Sequence, residues 1–169
     1  MGPISTGYAF ACCGTLMVCM GAALVRTRAL HLFGAAAFIF VMFWISRAVS
    51  IELDPPWSLA HYPLQDVILI AMLWATAGGR IEWWKAMVGL LLLAQLGFHT
   101  AYWGLYITGN ADVSSLWQYI FLNNVGLAAI LFSLSVEGAR DVLGWAADLR
   151  RVNGVPDLGG APGGARVAR

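Results

Sequence analysis

The chain has 169 residues, 60% of them hydrophobic and 11% charged, with a mean hydropathy of +0.72. Soluble domains carry about 25% charged residues, so a soluble fold of this length could not hide this much apolar surface, and the composition predicts an integral membrane protein. A net charge of +1 leaves no basic patch of the kind nucleic-acid binding needs.

Nine arginines stand against a single lysine, Lys85, in a chain rich in Ala and Gly. That usage points to a GC-rich source, bacterial or phage, and hence to the bacterial inner membrane. The start, Met1-Gly2-Pro3-Ile4-Ser5-Thr6, formally fits a myristoylation pattern. Pro3 and the bacterial composition argue against it. No basic residue precedes the first apolar run, and Arg26 and Arg28 follow it, so the run reads as a span and not as a secretory signal.

A crossing helix needs ~20 mostly apolar residues. In chain order the sequence predicts five such spans, at about 4–25, 29–49, 64–79, 86–108 and 116–136. Arg26-Thr27-Arg28 makes a tight first connection. Glu52-Leu53-Asp54-Pro55-Pro56 stops the second run, because consecutive prolines end a helix. Arg80-Ile81-Glu82-Trp83-Trp84-Lys85 and the turn-rich Gly109–Ser115 form the later breaks.

The count implies an orientation. With the N-terminus outside, Arg26, Arg28, Arg80, Lys85, Arg140, Arg150 and Arg151 fall in cytoplasmic segments, and Arg47 alone among basic residues falls outside. Trp44, Trp57, Trp103 and Trp117 then mark the outer boundary, and Trp74, Trp83, Trp84 and Trp145 the inner one. Beyond the fifth span, Val142, Trp145, Ala146 and Leu149 recur at helical spacing, with Arg140, Asp141, Asp148 and Arg151 off that stripe. Residues 137–152 are therefore expected to form a short cytoplasmic amphipathic helix, and 153–169, rich in Gly, Pro and Ala, a disordered tail. The predicted fold class is all-α, a polytopic transmembrane helical bundle.

Small residues recur along three spans, as Gly7, Ala11, Gly14, Val18 and Gly21, then Gly97, Ala101 and Gly104, then Gly126, Ala129 and Ser133. Helices in lipid pack through such stripes, and internal packing is the simpler use of them. Cys12 and Cys19 stand two helical turns apart, ~10 Å of rise, which is too far for a disulfide.

Polar groups at membrane depth are costly and need a partner or a task. Counting from the helix ends places Arg47, Asp66, Gln95, His99, Tyr102, Asn123 and Asn124 in the outer half of the bilayer, with Trp103 and Tyr106 on the face of His99 and with Ser46, Gln65 and Tyr119 nearby. This cluster is either a hydrogen-bond network pinning helices together or a cavity for a ligand, head group or ion. Arg47 is expected to pair with Asp66 or Glu52. A haem would need two facing histidines. Of His31, His61 and His99, only the last two could approach one another, and then only if a loop folded inward. No metal site, cofactor or catalytic residue is predicted, since no HExxH, GxSxG or paired carboxylates within one span occur.

Three roles remain. The first is a non-enzymatic accessory or structural subunit working through helix–helix contacts with lipid, other membrane subunits or its own copies. The second is a membrane-permeabilising protein such as a phage holin. The third is a ligand-binding subunit or carrier built on the polar cluster.

Overall fold

Arg26 closes the first apolar run, and its extended backbone hands over to a single 3₁₀ turn, Thr27–Ala29. That turn is short enough to make the flanking helices an antiparallel hairpin. The computed structural model describes residues 3–52, 57–77 and 82–152. Its helices are α1 (Pro3–Val25), α2 (Leu30–Glu52), α3 (Tyr62–Ala75), α4 (Trp83–Ile107) and α5 (Val113–Val152). A second 3₁₀ turn, Trp57–Leu59, leads into α3. No strand occurs among the described residues.

Four of these helices, α1, α2, α4 and α5, are long and apolar enough to cross a membrane. Helix α3 is apolar but has 14 residues, ~21 Å of rise. It starts earlier than expected, because Pro63 sits in its first turn, where a missing N–H costs nothing. It also stops earlier, at Thr76, whose hydroxyl bonds back to the carbonyls of Met72 and Leu73. Residues 137–152 are not a separate helix. They continue α5 without a break to a length of 40 residues. The tail at 153–169 lies outside the described residues.

The helices close into a ring. Each packs on its neighbours in chain order, and α5 returns to pack on α1. The α1–α5 seam is the most extensive. A Cβ on Gly138 would stand 3.0 Å from Val18 Cγ1, so any larger residue there would require Val18 to give way. Beside it, Thr15 Oγ1 and Ser135 Oγ lie 2.9 Å apart, and the Cys19 thiol points at the Leu134 carbonyl at 3.7 Å. Such side-chain bonds across helices contribute about 0.6 kcal/mol each in lipid. Cys12 and Cys19 are buried free thiols on the same face of α1.

Two networks secure the end of the ring that carries Arg28. Asp141, buried on α5, accepts from Arg28 Nη2 at 2.6 Å and lies 3.8 Å from Arg26 Nη1, while Arg26 Nη2 reaches Asp148 at 2.9 Å. The α1–α2 turn is thereby clamped to the extension of α5. Across the ring, Glu82 accepts from Trp84 Nε1 at 2.7 Å and meets His31 Nε2 at 3.2 Å. His31 also stacks parallel to Trp84. Buried Lys85 caps the end of α3 by donating to the Thr76 carbonyl. At the opposite end, Trp57 lies against Trp103 and Tyr106.

Candidate functional site

Within the ring, toward the Trp103 end, the helices do not fill the space between them. A cavity of about 210 Å³ is lined by Tyr8 of α1, by Phe38, Ile39, Met42, Phe43, Ser46 and Arg47 of α2, and by Tyr62, Gln65, Asp66 and Leu69 of α3. Leu92 and Gln95 of α4 and Asn123, Asn124, Leu127 and Ile130 of α5 complete it. All the helices contribute. Nearly every polar residue the sequence singled out lies here or one contact away.

The most ordered part is a chain of three groups from three helices. His99 of α4 is buried, 2% exposed. Its Nδ1 lies 2.6 Å from the Tyr119 hydroxyl of α5, and its Nε2 lies 3.0 Å from Asp66 Oδ2 of α3. One tautomer satisfies all three: Tyr119 O–H donates to Nδ1, and Nε2–H donates to the carboxylate. Rings wedge this chain in place. Tyr102 stacks on Tyr119 with centroids 4.4 Å apart, and Tyr62 lies parallel to His99 at 6.3 Å. His99 and Tyr102 therefore stand behind the cavity wall, while Asp66 forms part of it.

A second knot joins α4 to α5. Gln95 Nε2 donates to both the carbonyl and the side-chain oxygen of Asn123, each at 3.1 Å. The amide can lie there because residue 126 is glycine. A Cβ at that position would come within 2.8 Å of the Gln95 amide. Holding its nitrogen on Asn123 turns Gln95 Oε1 into the packing, where it has no hydrogen-bond partner. Leaving a buried acceptor unmade costs about 1–3 kcal/mol. Nearby, the Tyr8 hydroxyl donates to the Asn124 carbonyl at 3.0 Å and ties α1 to the same stretch of α5.

The third polar group gathers on α2 and α3. The Ser46 hydroxyl is 2.7 Å from His61 Nε2 and accepts from Gln65 Nε2 at 3.1 Å. Arg47, next to Ser46, lines the cavity. Asp66, one of the two partners expected for Arg47, is bonded by His99. His61 and His99 do not face each other across an open gap. Both ring nitrogens of His99 are bonded within the protein, and Nε2 of His61 is on Ser46. Among the described residues no group of three His, Cys, Asp or Glu side chains could hold a metal.

Of the residues singled out in the sequence, Arg47, Asp66, Gln95, Asn123 and Asn124 line the cavity and His99 and Tyr102 stand behind it, whereas Trp103 and Tyr106, expected on the face of His99, do not join them. Those two rings turn to Trp57. Sequence reasoning missed Tyr8 and Tyr62. A signal for Tyr8 existed: it precedes Cys12, Thr15, Cys19 and Ala22 at helical spacing, and that is the buried face of α1.

No protein-family model matches the chain, and no curated protein or solved structure matches it significantly.

Proposed function

We propose that this chain is a multi-pass membrane protein that binds a small molecule in the cavity at the centre of its helix ring, without catalysing a reaction. In this reading α3 is a fifth, short crossing, and the N-terminus faces outward. The positive-inside rule supports that orientation. It puts Arg26, Arg28 and Lys85 on the cytoplasmic side, with the Arg28–Asp141 clamp there and the cavity in the outer half of the bilayer.

The observation that carries the reading is the cavity itself. Ligand sites are concave, mostly apolar and furnished with few fixed polar groups. This one combines apolar walls with a carboxylate oriented by His99 and with the Gln95–Asn123 knot. A purely structural network would fill such space with side chains, because interiors pack to the density of organic crystals. The test is native mass spectrometry of protein extracted mildly from its own membrane. A bound mass present in the wild type and absent from Leu127→Trp, which fills the cavity, supports the reading. A bare wild-type chain removes its basis.

A second reading, an accessory subunit in a larger assembly, has its own support. Gly7, Gly14, Gly97 and Gly104 have open space where a Cβ would point. Those four positions are not consumed by packing within the chain, whereas Gly126 and Gly138 are. In lipid, exposed small residues of this kind suit contact with another helix. Gly97→Leu with Gly104→Leu should then dissociate a larger species into monomers on a native gel. A wild type that is already monomeric counts against it.

A further inference from the structure

The polar groups and walls of the cavity also narrow the class of its occupant, and this step rests on the binding reading above. Asp66 offers the cavity a carboxylate that is already positioned. His99 holds Oδ2, and among the described residues no hydrogen bond to Oδ1 occurs. A ligand that donates an O–H to that oxygen would make a charge-assisted bond, about twice as strong as a neutral one. The cavity carries little net charge to recruit an ion, since Arg47 and Asp66, of opposite sign, line the same space. The apolar part of the lining includes Phe38, Phe43, Leu92, Leu127 and Ile130. A volume of about 210 Å³ compares with roughly 150 Å³ for an apolar cavity that admits benzene. It therefore has room for one substituted ring.

We infer that the cavity takes a neutral, single-ring aromatic alcohol, of the size and chemistry of phenol, with its hydroxyl on Asp66 and its ring against the phenylalanine and leucine walls. Neutrality lets such a molecule dissolve in the bilayer and enter from the lipid side. The Tyr119–His99 chain keeps the carboxylate aimed while the ligand is absent.

The experiment is ¹⁹F NMR of the full chain in lipid nanodiscs with 4-fluorophenol and with 4-fluorotoluene, which has nearly the same shape and no donor. A bound resonance is distinct from that of probe dissolved in lipid, and empty nanodiscs give the partition correction. The expected result is a saturable bound resonance for 4-fluorophenol, with affinity roughly tenfold above that for 4-fluorotoluene, the worth of one good hydrogen bond. Asp66→Asn should bring the two probes within about twofold of each other, and Leu127→Trp should remove both resonances. Equal binding of the two probes by the wild type overturns the alcohol assignment and leaves the cavity reading standing. Absence of any bound resonance overturns both. A tenfold preference that survives Asp66→Asn overturns the role given to the carboxylate. If that variant does not fold, the comparison of the two probes on the wild type still decides the class.

Discussion

His99 and Asp66 meet at 3.0 Å although they lie on different helices, and that contact joins α4 to α3 at the depth of the cavity. The same imidazole holds Tyr119 of α5 through its other nitrogen. One side chain thus fastens three helices.

Replacing it should be costly. His99→Leu keeps roughly the volume but leaves Asp66 and Tyr119 without their partner. The expected loss is about 2–3 kcal/mol, the range for stranding buried polar groups. Thermal unfolding in detergent should show it. Asp66→Leu in the His99→Leu background should recover part of the loss, because the stranded carboxylate is gone. If the single change is silent, the chain of three groups contributes nothing to stability.

Gly126→Ala should destabilise by about 1–2 kcal/mol, since the new Cβ would lie 2.8 Å from the Gln95 amide and force it off Asn123. The cost should nearly vanish when Gln95 is alanine. A double-mutant cycle measures this, and additive effects would show that the two residues are not coupled.

At the other end, Asp141 is 5% exposed and depends on Arg28 and Arg26. Removing both arginines strands a buried carboxylate, with an expected loss of about 3 kcal/mol. Hydrogen exchange should then accelerate along the C-terminal extension of α5 before the rest of the ring opens. Asp148→Ala alone touches an exposed pair and should change stability by less than about 0.5 kcal/mol.

Acid should loosen the Glu82 junction. Partial burial pushes this carboxyl up, but hydrogen bonds from Trp84 and His31 and the nearby Lys85 ammonium outweigh that, and it sits below its ordinary value of 4.5. A depressed carboxyl stabilises the fold above its unfolded pKa and loses that contribution as the pH falls through the folded one. Stability should therefore drop below about pH 4.5, and Glu82→Gln should flatten that limb of the pH profile. An unchanged limb would show that the junction is not the group responsible.

Much of the fold was legible because apolar runs and basic breaks are one-dimensional signals. Helices α1, α2 and α4 begin and end within a few residues of where the runs do. Helix α3 was misjudged at Pro63, where a proline in a first turn looks in sequence like a stop. The extension of α5 was split off because its composition changes at Glu137. What makes it continuous is the absence of a proline together with a clamp from Arg26 and Arg28, residues distant in sequence. That the polar residues come together at one level of the bundle could be counted from helix ends. Their pairings could not, since Asp66 meets His99 through helix rotation, which a span count does not contain. Tyr8 reaches Asn124 across 116 positions of sequence, a contact that only ring closure creates.

Helix α5 is a single rod of 40 residues, ~60 Å long. Asn123 and Asn124 face the cavity from it, and Asp141 is gripped on it about 27 Å further along. With no proline among its residues, the helix runs unbroken from one station to the other and couples them. Whatever tilts or slides it to widen the central space must also pull against the arginines at the far end. The clamp is then the resistance the bundle offers to opening, set at the opposite end of the ring from the space it guards.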